Sequence, residues 1–404
     1  MSTDLRNSIA LSERVEQMAE SKTIRMSQKS RELKDQGKDI INLSLGEPDF
    51  STPDYIKEAA IQAIRDGYTH YPPVGGFADL KEAIVNKLKN ENDLDYQPSE
   101  VMVSNGAKHS IINVLLALVN PGDEVLTPVP YWVSYPEMIK ISGGKMVTMD
   151  TDATSDFKIT PQQLEQSITD KTRAIIFNSP SNPSGAVYDQ EEMDALAEVL
   201  RKHPHVYIIS DEIYEHINFV GEHHTFAGYD DLKDRVIVIN GVSKGYAMTG
   251  WRIGYMAGDQ RIIKACEKLQ GQFTSAPNSI SQKAAVAALN GGNHEALKMR
   301  DEFQKRRDFV LKDLKEIPGI KLSEPGGAFY FFPEIKDLFG SKNGDQTIED
   351  SEQFCFYVLE NYGVSLVPGD AFGANDCIRI SYAASEESLE KGVKAIKEAV
   401  NNLR

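Results

Sequence analysis

The chain has 404 residues, of which 44 are basic and 60 acidic, so its formal net charge is −16. An acidic balance of this size disfavours nucleic acid or an anionic membrane surface as the main partner. The apolar share of 41% is sufficient for a substantial core, and the length suits one large two-lobed unit or two or three domains.

Neither a targeting segment nor a membrane span is apparent. No early stretch joins a basic region to an apolar one, which disfavours a signal peptide. The longest apolar run, Ile111 to Val119 with Asn113 inside it, is too short to span a bilayer and indicates a buried helix. The cysteines, Cys266, Cys355 and Cys377, are odd in number and lack metal-ligand spacing. This usage is typical of a reducing compartment, so we predict a cytoplasmic protein without a metal centre.

The first hundred residues predict helices around one short strand. Residues 1–37 are polar with spaced apolar positions and end on Gly37, a typical helix stop. A strand-like run, Asp39 to Leu45, then breaks at Gly46-Glu47-Pro48-Asp49. Two helices are predicted next, from Pro53 to about Asp66 and from Phe77 to about Asn90.

From Val101 onward, strand, turn and helix patterns follow one another repeatedly. Apolar strands that alternate with helices indicate a largely parallel sheet covered on both faces. The strand candidates are Val101–Ser104, Glu124–Thr127, Ala174–Phe177, Val206–Ser210, Val236–Asn240 and Ile253–Ala257.

After about residue 290 the pattern changes to that of an α+β part. No repeat or flexible linker separates it from the preceding sequence, so we expect the two parts to interlock. Its predicted elements are a charged helix from His294 to about Glu316, strands at Gly327–Phe332 and Cys377–Ala383, a helix near 350–361 and a helix ending near Leu403.

Four motifs lie beside predicted strands, where open α/β sheets bind their ligands. In Ser104-Asn105-Gly106-Ala107-Lys108, small residues at a helix start let backbone N–H groups approach an anion. A polar loop, Asn178-Ser179-Pro180-Ser181-Asn182-Pro183-Ser184-Gly185, follows the strand candidate Ala174–Phe177. Each of these two stretches alone has a simpler interpretation as a tight turn.

The other two motifs carry the ionisable groups. In Ser210-Asp211-Glu212-Ile213-Tyr214, an aspartate at a buried strand end requires a partner, although a helix-capping role is the alternative. The stretch from Ser243 to Gly254 places Lys244 on a turn of small residues and Arg252 eight residues later. A lysine amine can form a Schiff base with an aldehyde, and the planar guanidinium of arginine suits phosphate.

Taken together and in this order, the four motifs resemble those of the class I aminotransferases, pyridoxal phosphate enzymes of fold type I. The resemblance extends over nearly the whole chain. It implies a large α/β domain of residues 50–285 with a mostly parallel sheet. It also implies a smaller α+β domain from residues 1–49 and 286–404, and a homodimer with shared active sites. Further matches are Gly46 in Gly46–Phe50, Tyr71 in Thr69–Tyr71, Trp132 in Pro130–Tyr135 and Arg379 in Ile378–Ser381.

The resemblance assigns a cofactor role to most of these residues. Lys244 matches the Schiff-base lysine, which also moves the substrate's α-proton, and this requires a pKa well below about 10.4. Asp211 matches the partner of the protonated ring nitrogen, Tyr214 and Asn182 match ligands of the ring hydroxyl, and Trp132 matches the stacked aromatic. The residues that match the phosphate site are Gly106, Ala107, Lys108, Ser243, Arg252 and, from the neighbouring subunit, Tyr71.

For the substrate, the resemblance implies that Arg379 binds the α-carboxylate, with Gly46, Trp132 and Asn182 around it. The chain is most similar to the bacterial aspartate aminotransferases of the subgroup that includes aspartate/prephenate aminotransferases. There the distal carboxylate is met by a lysine matching Lys108 and by hydroxyls matching Ser21 or Thr23. The stretch 272–277 has no basic residue, which agrees with this interpretation. The alternative is that Lys108 has no role in selectivity.

The expected activity is therefore ping-pong transamination between aspartate and 2-oxoglutarate. Several alternatives stay open at this point. They are a glutamate/aspartate–prephenate aminotransferase, a broad aromatic or alanine aminotransferase, a pyridoxal phosphate-dependent β-lyase or synthase, and a non-catalytic regulator that binds the cofactor.

Overall fold

The computed structural model describes residues 11–18 and 22–404, except the side chains of 22, 23, 24 and 27. Its helices are α1 (Glu13–Glu16), α2 (Lys22–Asp35), α3 (Asp54–Arg65), α4 (Ala78–Asn92), α5 (Ala107–Leu118), α6 (Tyr135–Ile141), α7 (Pro161–Ser167), α8 (Gln190–Lys202), α9 (Gln260–Phe273), α10 (Ser279–Asn290), α11 (His294–Lys315), α12 (Ser351–Tyr362) and α13 (Glu386–Asn401). Its strands are β1 (Ile41–Asn42), β2 (Val101–Ser104), β3 (Glu124–Pro128), β4 (Lys145–Met149), β5 (Thr172–Asn178), β6 (Tyr207–Asp211), β7 (Val236–Gly241), β8 (Gly254–Ala257), β9 (Tyr330–Phe331), β10 (Lys342–Asn343), β11 (Gln346–Thr347), β12 (Val364–Ser365), β13 (Val367–Pro368) and β14 (Ile378–Ser381).

A seven-stranded sheet in the order β2-β8-β7-β6-β5-β3-β4 forms the centre of the larger part. Strands β3 to β7 pair in parallel, whereas β8 runs antiparallel to both β2 and β7. Because only β8 is reversed, the residue that precedes it lies at the edge where the other strands end. Arg252 therefore comes to the same edge as the residues that follow β2, β5, β6 and β7.

The two faces of this sheet carry separate cores, as expected for strands buried on both sides. Helices α3, α4, α8 and α10 cover one face with Ile56, Leu80, Leu196 and other apolar side chains. Helices α5, α6 and α9 cover the other face with side chains such as Ile111 and Ile263. The sheet is thus held rigidly at the edge where the polar turns emerge.

The smaller part joins the beginning of the chain to its last third. Its core takes Met26 and Leu43 from the N-terminal segment and Phe303, Phe354 and other side chains from the C-terminal segment. Strand β1 pairs with β12, and a second small sheet has the order β13-β14-β9. Tyr214 and Ile217, just after β6, also enter this core, so the two parts meet beside the end of β6.

The predicted fold class is confirmed: the protein is an α/β protein with a mostly parallel central sheet. Strand β4 lay outside the predicted strands because it is a partly exposed edge strand without a continuous apolar run. The reversal of β8 was not predicted either, since direction depends on pairing with β2 and β7 and not on local sequence. The division at 285/286 stays a prediction, and that position lies inside α10.

Candidate active site

The polar turns predicted as ligand sites converge at one edge of the central sheet. Asp211 is the last residue of β6, and the Lys244 turn follows β7. Gly106 follows β2, and the loop containing Asn182 follows β5. This arrangement results from parallel strands, whose carboxyl ends lie at a common edge.

Lys244 lies on the turn after β7 and is half-buried. Its Nζ donates to the carbonyl of Gly46 and lies 5.9 Å from the ring centroid of Tyr214. Burial lowers the pKa of Lys244 to about 8, and the charges of Arg379 and Arg252 act in the same direction against Glu47 and Asp211. About a tenth of the amine is thus unprotonated and nucleophilic at pH 7, and about half at pH 8.

Asp211 is buried and is held by groups from helix α6 and strand β5. The Tyr135 hydroxyl donates to Asp211 Oδ2 over 2.6 Å. Asn178 donates from Nδ2 to the Asp211 carbonyl over 2.8 Å, and its Oδ1 accepts the backbone N–H of Asn182 over 2.8 Å. Burial raises the pKa of Asp211 to about 6, although the Tyr135 hydrogen bond opposes this. Such a carboxylate favours a cationic partner.

A cradle for an anion lies where α5 begins. Gly106 has φ 85°, and α5 has no side-chain N-cap, so its first backbone N–H groups have no side-chain acceptor there. A Cβ added at Gly106 would lie 2.4 Å from Arg252 Nη2, and one at Gly254 would lie 2.2 Å from the Ala107 nitrogen. Arg252 itself has φ 56°, a conformation rare for non-glycine residues. Glycines therefore permit a guanidinium and a helix N-terminus to share one small space.

Of two further predicted ligands, Lys108 lies in the first turn of α5 and Ser243 lies on the turn of Lys244. Ser243 is buried beside Lys244. Lys108 Nζ lies 4.9 Å from the ring centroid of Trp132. Burial, together with the charge of Arg252, lowers the pKa of Lys108. Positive groups brought this close together suit a phosphate or carboxylate between them.

Arg379 is a buried cation on β14, and it faces the larger part of the chain. It donates from Nη1 to Asn182 Oδ1 over 3.0 Å and from Nη2 to the Ser44 carbonyl over 2.8 Å. Its Nε has no hydrogen-bond partner among the described residues. A buried arginine with a donor left over suits a carboxylate ligand.

The predicted site residues are brought together, with Tyr71 as the exception. Within one chain Tyr71 is 93% exposed, and its predicted partner is the phosphate site of a second subunit. Ser21 and the side chain of Thr23 lie outside the described residues. The remaining members of the predicted set lie at the strand-end edge of the central sheet, except Gly46 and Arg379, which reach it from the smaller part through Lys244 and Asn182.

Two residues of this site were not predicted from the sequence. The Tyr135 hydroxyl donates to Asp211, and Tyr135 is the first residue of α6. Its position three residues after Trp132 could have indicated a second aromatic residue at the site. Tyr330 lies with its hydroxyl 2.9 Å from that of Tyr214 and with its ring 4.4 Å from Arg379 Cζ. It belongs to an aromatic run, in which no local pattern distinguishes a site residue from a core residue.

Comparison with known proteins gives a consistent result over the whole chain. Residues 38–396 match the family model of aminotransferase class I and II. The chain is 48% identical to a bifunctional aspartate aminotransferase and glutamate/aspartate-prephenate aminotransferase of Petunia hybrida, covering 98% of this chain and 84% of that protein. It is also 48% identical to an aspartate/prephenate aminotransferase of Nitrosomonas europaea, covering 96% and 98% of the two chains.

Solved structures agree with these sequence matches. An aspartate aminotransferase from Rhizobium meliloti superposes with a TM-score of 0.95 at 42% identity, covering 98% of this chain and 100% of that one. The Thermus thermophilus aspartate aminotransferase with maleate gives 0.89 at 38% identity, covering 97% and 100%. In the described part of the chain, no helix has the length and apolar character to cross a membrane.

Proposed function

The chain belongs to the class I and II aminotransferases, and from this membership we propose that it exchanges amino groups between aspartate and 2-oxoglutarate. Its cofactor is pyridoxal 5'-phosphate. The observation that carries this function is the position of Lys244, a half-buried amine whose pKa is lowered to about 8 by burial and which faces Tyr214.

The residues at the strand-end edge fit each chemical group of the cofactor. Asp211, a buried carboxylate with no cation in hydrogen-bond contact among the described residues, suits the ring nitrogen. Tyr214 and Asn182 suit the ring hydroxyl, and Trp132 suits the ring face. The phosphate suits the cradle at the start of α5, whose proposed ligands are Gly106, Ala107, Lys108, Ser243, Arg252 and Tyr71 of the partner subunit.

Lys244 has two proposed tasks. When bound, pyridoxal phosphate supplies an aldehyde that receives the amino group and a cationic ring that draws electrons from the substrate's α-carbon. Lys244 would hold the cofactor through Nζ, and the same amine, once free, would take the substrate's α-proton. A pKa near 8 suits both directions, because the amine accepts a proton and its conjugate acid returns it near neutral pH.

The substrate's two carboxylates have separate proposed partners. The α-carboxylate binds Arg379, whose Nε is unpartnered among the described residues, with Gly46, Trp132 and Asn182 around it. The distal carboxylate binds Lys108. Support comes from the Thermus aspartate aminotransferase with maleate, since maleate is a four-carbon dicarboxylate. Donor and acceptor use the same two cations in turn, as a ping-pong reaction requires.

Prephenate is a second candidate acceptor of the amino group. The relatives from Petunia and Nitrosomonas both carry this activity in their names. The reaction would use the same α-carboxylate site, with glutamate or aspartate as amino donor. One site can therefore serve both acceptors, so the enzyme can have both activities.

We also propose a cytoplasmic homodimer. A cytoplasmic location is consistent with the cysteines, which are buried and form no disulfide: Cys266, Cys355 and Cys377. The dimer is supported by Tyr71 and Phe273, large side chains that are 93% and 62% exposed in the single chain. A second copy of the chain that covers these residues would remove them from water.

The test is a panel of amino donors with 2-oxoglutarate, and of glutamate with prephenate, on the purified holoenzyme. Aspartate should be the preferred donor, and Lys244→Ala should abolish turnover together with the visible absorbance of the bound cofactor. Lys264→Ala, at an exposed position on α9, is the matched control and should behave as wild type. Near-normal kcat in Lys244→Ala would refute the assignment.

A further inference from the structure

We propose that Tyr330 is a positioning residue for the reaction, which acts through Tyr214 on the cofactor and connects it to the carboxylate site at Arg379. This role rests on the proposed function, because that function supplies the roles of Tyr214 and Arg379. Tyr330 lies in β9 within the smaller part, and it is fully buried.

The Tyr330 hydroxyl lies among three elements of the site. It is 2.9 Å from the Tyr214 hydroxyl, and a Cβ added at Gly46 would lie 3.4 Å from it. The face of the Tyr330 ring stacks on Arg379, whose Cζ is 4.4 Å from the centroid. Phenylalanine would fill the same volume and keep this stacking, so the hydroxyl is the atom that requires an explanation.

The number of hydrogens defines what this pair of phenols can do. Each hydroxyl has one hydrogen, and the bond between the two oxygens uses one of them. In the described part of the chain, neither hydroxyl has another hydrogen-bond partner. One hydrogen therefore stays available for a bound molecule.

The cation at Arg379 indicates which tyrosine donates. Burial raises the pKa of Tyr330, and the stacked guanidinium of Arg379 opposes the rise by stabilising negative charge on that phenol. The same cation also acts on Tyr214, but there burial, Tyr330 and Asp211 hold the pKa well above its usual range. The stacked cation thus makes Tyr330 a stronger hydrogen-bond donor. If Tyr330 donates to Tyr214, the hydrogen of Tyr214 is the free one, and consecutive hydrogen bonds strengthen each other. Tyr330 consequently aims the Tyr214 hydroxyl and strengthens its bond to the ring oxygen.

The experiment compares holoenzymes with Tyr330→Phe, Tyr214→Phe and both changes. The readouts are the pH midpoint of the cofactor's visible absorbance, the cofactor dissociation constant, and kcat and KM for aspartate. Tyr330→Phe should move the midpoint in the same direction as Tyr214→Phe but less, with a roughly threefold to tenfold loss of kcat. In the Tyr214→Phe background, Tyr330→Phe should cause no further shift.

Tyr382→Phe is the matched control. This residue is also fully buried in the core of the smaller part, and its hydroxyl donates to the Ala328 carbonyl over 3.2 Å. It should change thermal stability without moving the midpoint. A fluorinated tyrosine at position 330, with a more acidic phenol, should move the midpoint in the direction opposite to Tyr330→Phe.

Three outcomes would overturn the role of Tyr330. An unchanged midpoint in Tyr330→Phe, beside a shifted one in Tyr214→Phe, would leave Tyr330 a purely structural residue while the proposed function stands. If Tyr330→Phe shifted the midpoint equally in wild type and in the Tyr214→Phe variant, Tyr330 would not act through Tyr214. An unchanged midpoint in Tyr214→Phe would refute the proposed role of Tyr214 itself, and the role of Tyr330 with it.

Discussion

Asp211 shows how the site uses an ionisable group at a cost to stability. Burial raises its pKa to about 6 against the opposing hydrogen bond of Tyr135. A shift from about 3.9 to about 6 corresponds to about 3 kcal/mol of unfavourable interaction for the carboxylate in the cofactor-free protein. A cationic ring nitrogen would offset this cost, which is the reason for placing a carboxylate there.

We expect Asp211→Asn to stabilise the cofactor-free protein while it abolishes activity. Because the folded pKa is raised, wild type loses stability as pH rises from about 4 through 6, and the full cost is present above this range. The gain should therefore be up to about 3 kcal/mol at pH 8 and should vanish near pH 4. Urea unfolding at both pH values measures it, with the exposed Asp170→Asn as control. A gain that does not depend on pH would contradict burial of the charged carboxylate as its cause.

Lys108 is the residue on which selectivity for acidic substrates is expected to depend. Lys108→Ser should lower kcat/KM for aspartate and glutamate about tenfold to a hundredfold, because a charge-assisted bond contributes roughly 1.5–3 kcal/mol. Alanine and phenylalanine should be affected far less, whereas Arg379→Leu should reduce turnover of all donors alike. Cofactor affinity is measured in the same variant, since Lys108 borders the phosphate cradle. Equal losses for acidic and neutral donors at saturating cofactor would exclude this role.

At the scale of elements, a buried ion pair fixes the turn that carries Asp211 and Tyr214. Lys87 of α4 is only 3% exposed. Its Nζ donates to the carboxylate of Glu215 on that turn and, over 2.7 Å, to Asn92 Oδ1. Burial opposes ionisation of Glu215, but the charges of Lys87, His216 and His223 outweigh it and hold the pKa of Glu215 well below its usual range. Helix α4 thereby supports the active-site turn from behind.

Lys87→Met should destabilise the protein by about 3–5 kcal/mol, since it leaves Glu215 charged and buried without its partner. The double change Lys87→Met with Glu215→Leu should recover much of this loss. Because the folded pKa of Glu215 is depressed, the charged Glu215 stabilises the folded protein above about pH 4.3. This contribution to the free energy of unfolding is lost in more acidic solution. Glu387→Gln, in an exposed pair with Lys391, is the control and should leave the free energy of unfolding nearly unchanged, because solvent screens exposed ion pairs. Additive losses in the double variant would rule out this pairing.

The sequence predicted those parts of the site that depend on local patterns. The strands around Asp211 and Lys244 and the glycine at the start of α5 were recognisable because apolar runs and small-residue turns are local features. Tyr330 and the Lys87–Glu215 pair were not recognisable, because each depends on contact between segments more than a hundred residues apart. The reversal of β8, which brings Arg252 to the site, depends on strand pairing in the same way.

At the scale of the whole molecule, the site is formed where two parts of the chain meet. Lys244 and Asp211 belong to the larger part, whereas Gly46 and Arg379 come from the N-terminal segment and from β14. We propose that these parts are domains of residues 50–285 and of 1–49 with 286–404. Substrate binding at Arg379 would then draw on both domains at once.

A second copy of the chain is the remaining component of the proposed site. Tyr71 is 93% exposed in the single chain, and we propose that it completes the phosphate site of the partner subunit. Lys244→Ala and Tyr71→Ala homodimers should each have little activity, the first without its amine and the second with weakened cofactor binding. Mixed dimers formed by co-refolding the two variants provide the decisive measurement.

In a mixed dimer with shared sites, one site combines Lys244→Ala with the partner's Tyr71→Ala, and the other site has neither change. Mixed dimers should therefore regain about half of the wild-type activity per dimer and bind one cofactor at wild-type affinity. If Tyr71 acted within its own subunit, each site would carry one change and mixing would restore nothing. Mixtures of each variant with itself serve as controls for refolding. Absence of any recovery, with mixed dimers demonstrably formed, would refute the shared site and leave the single-chain assignments unaffected.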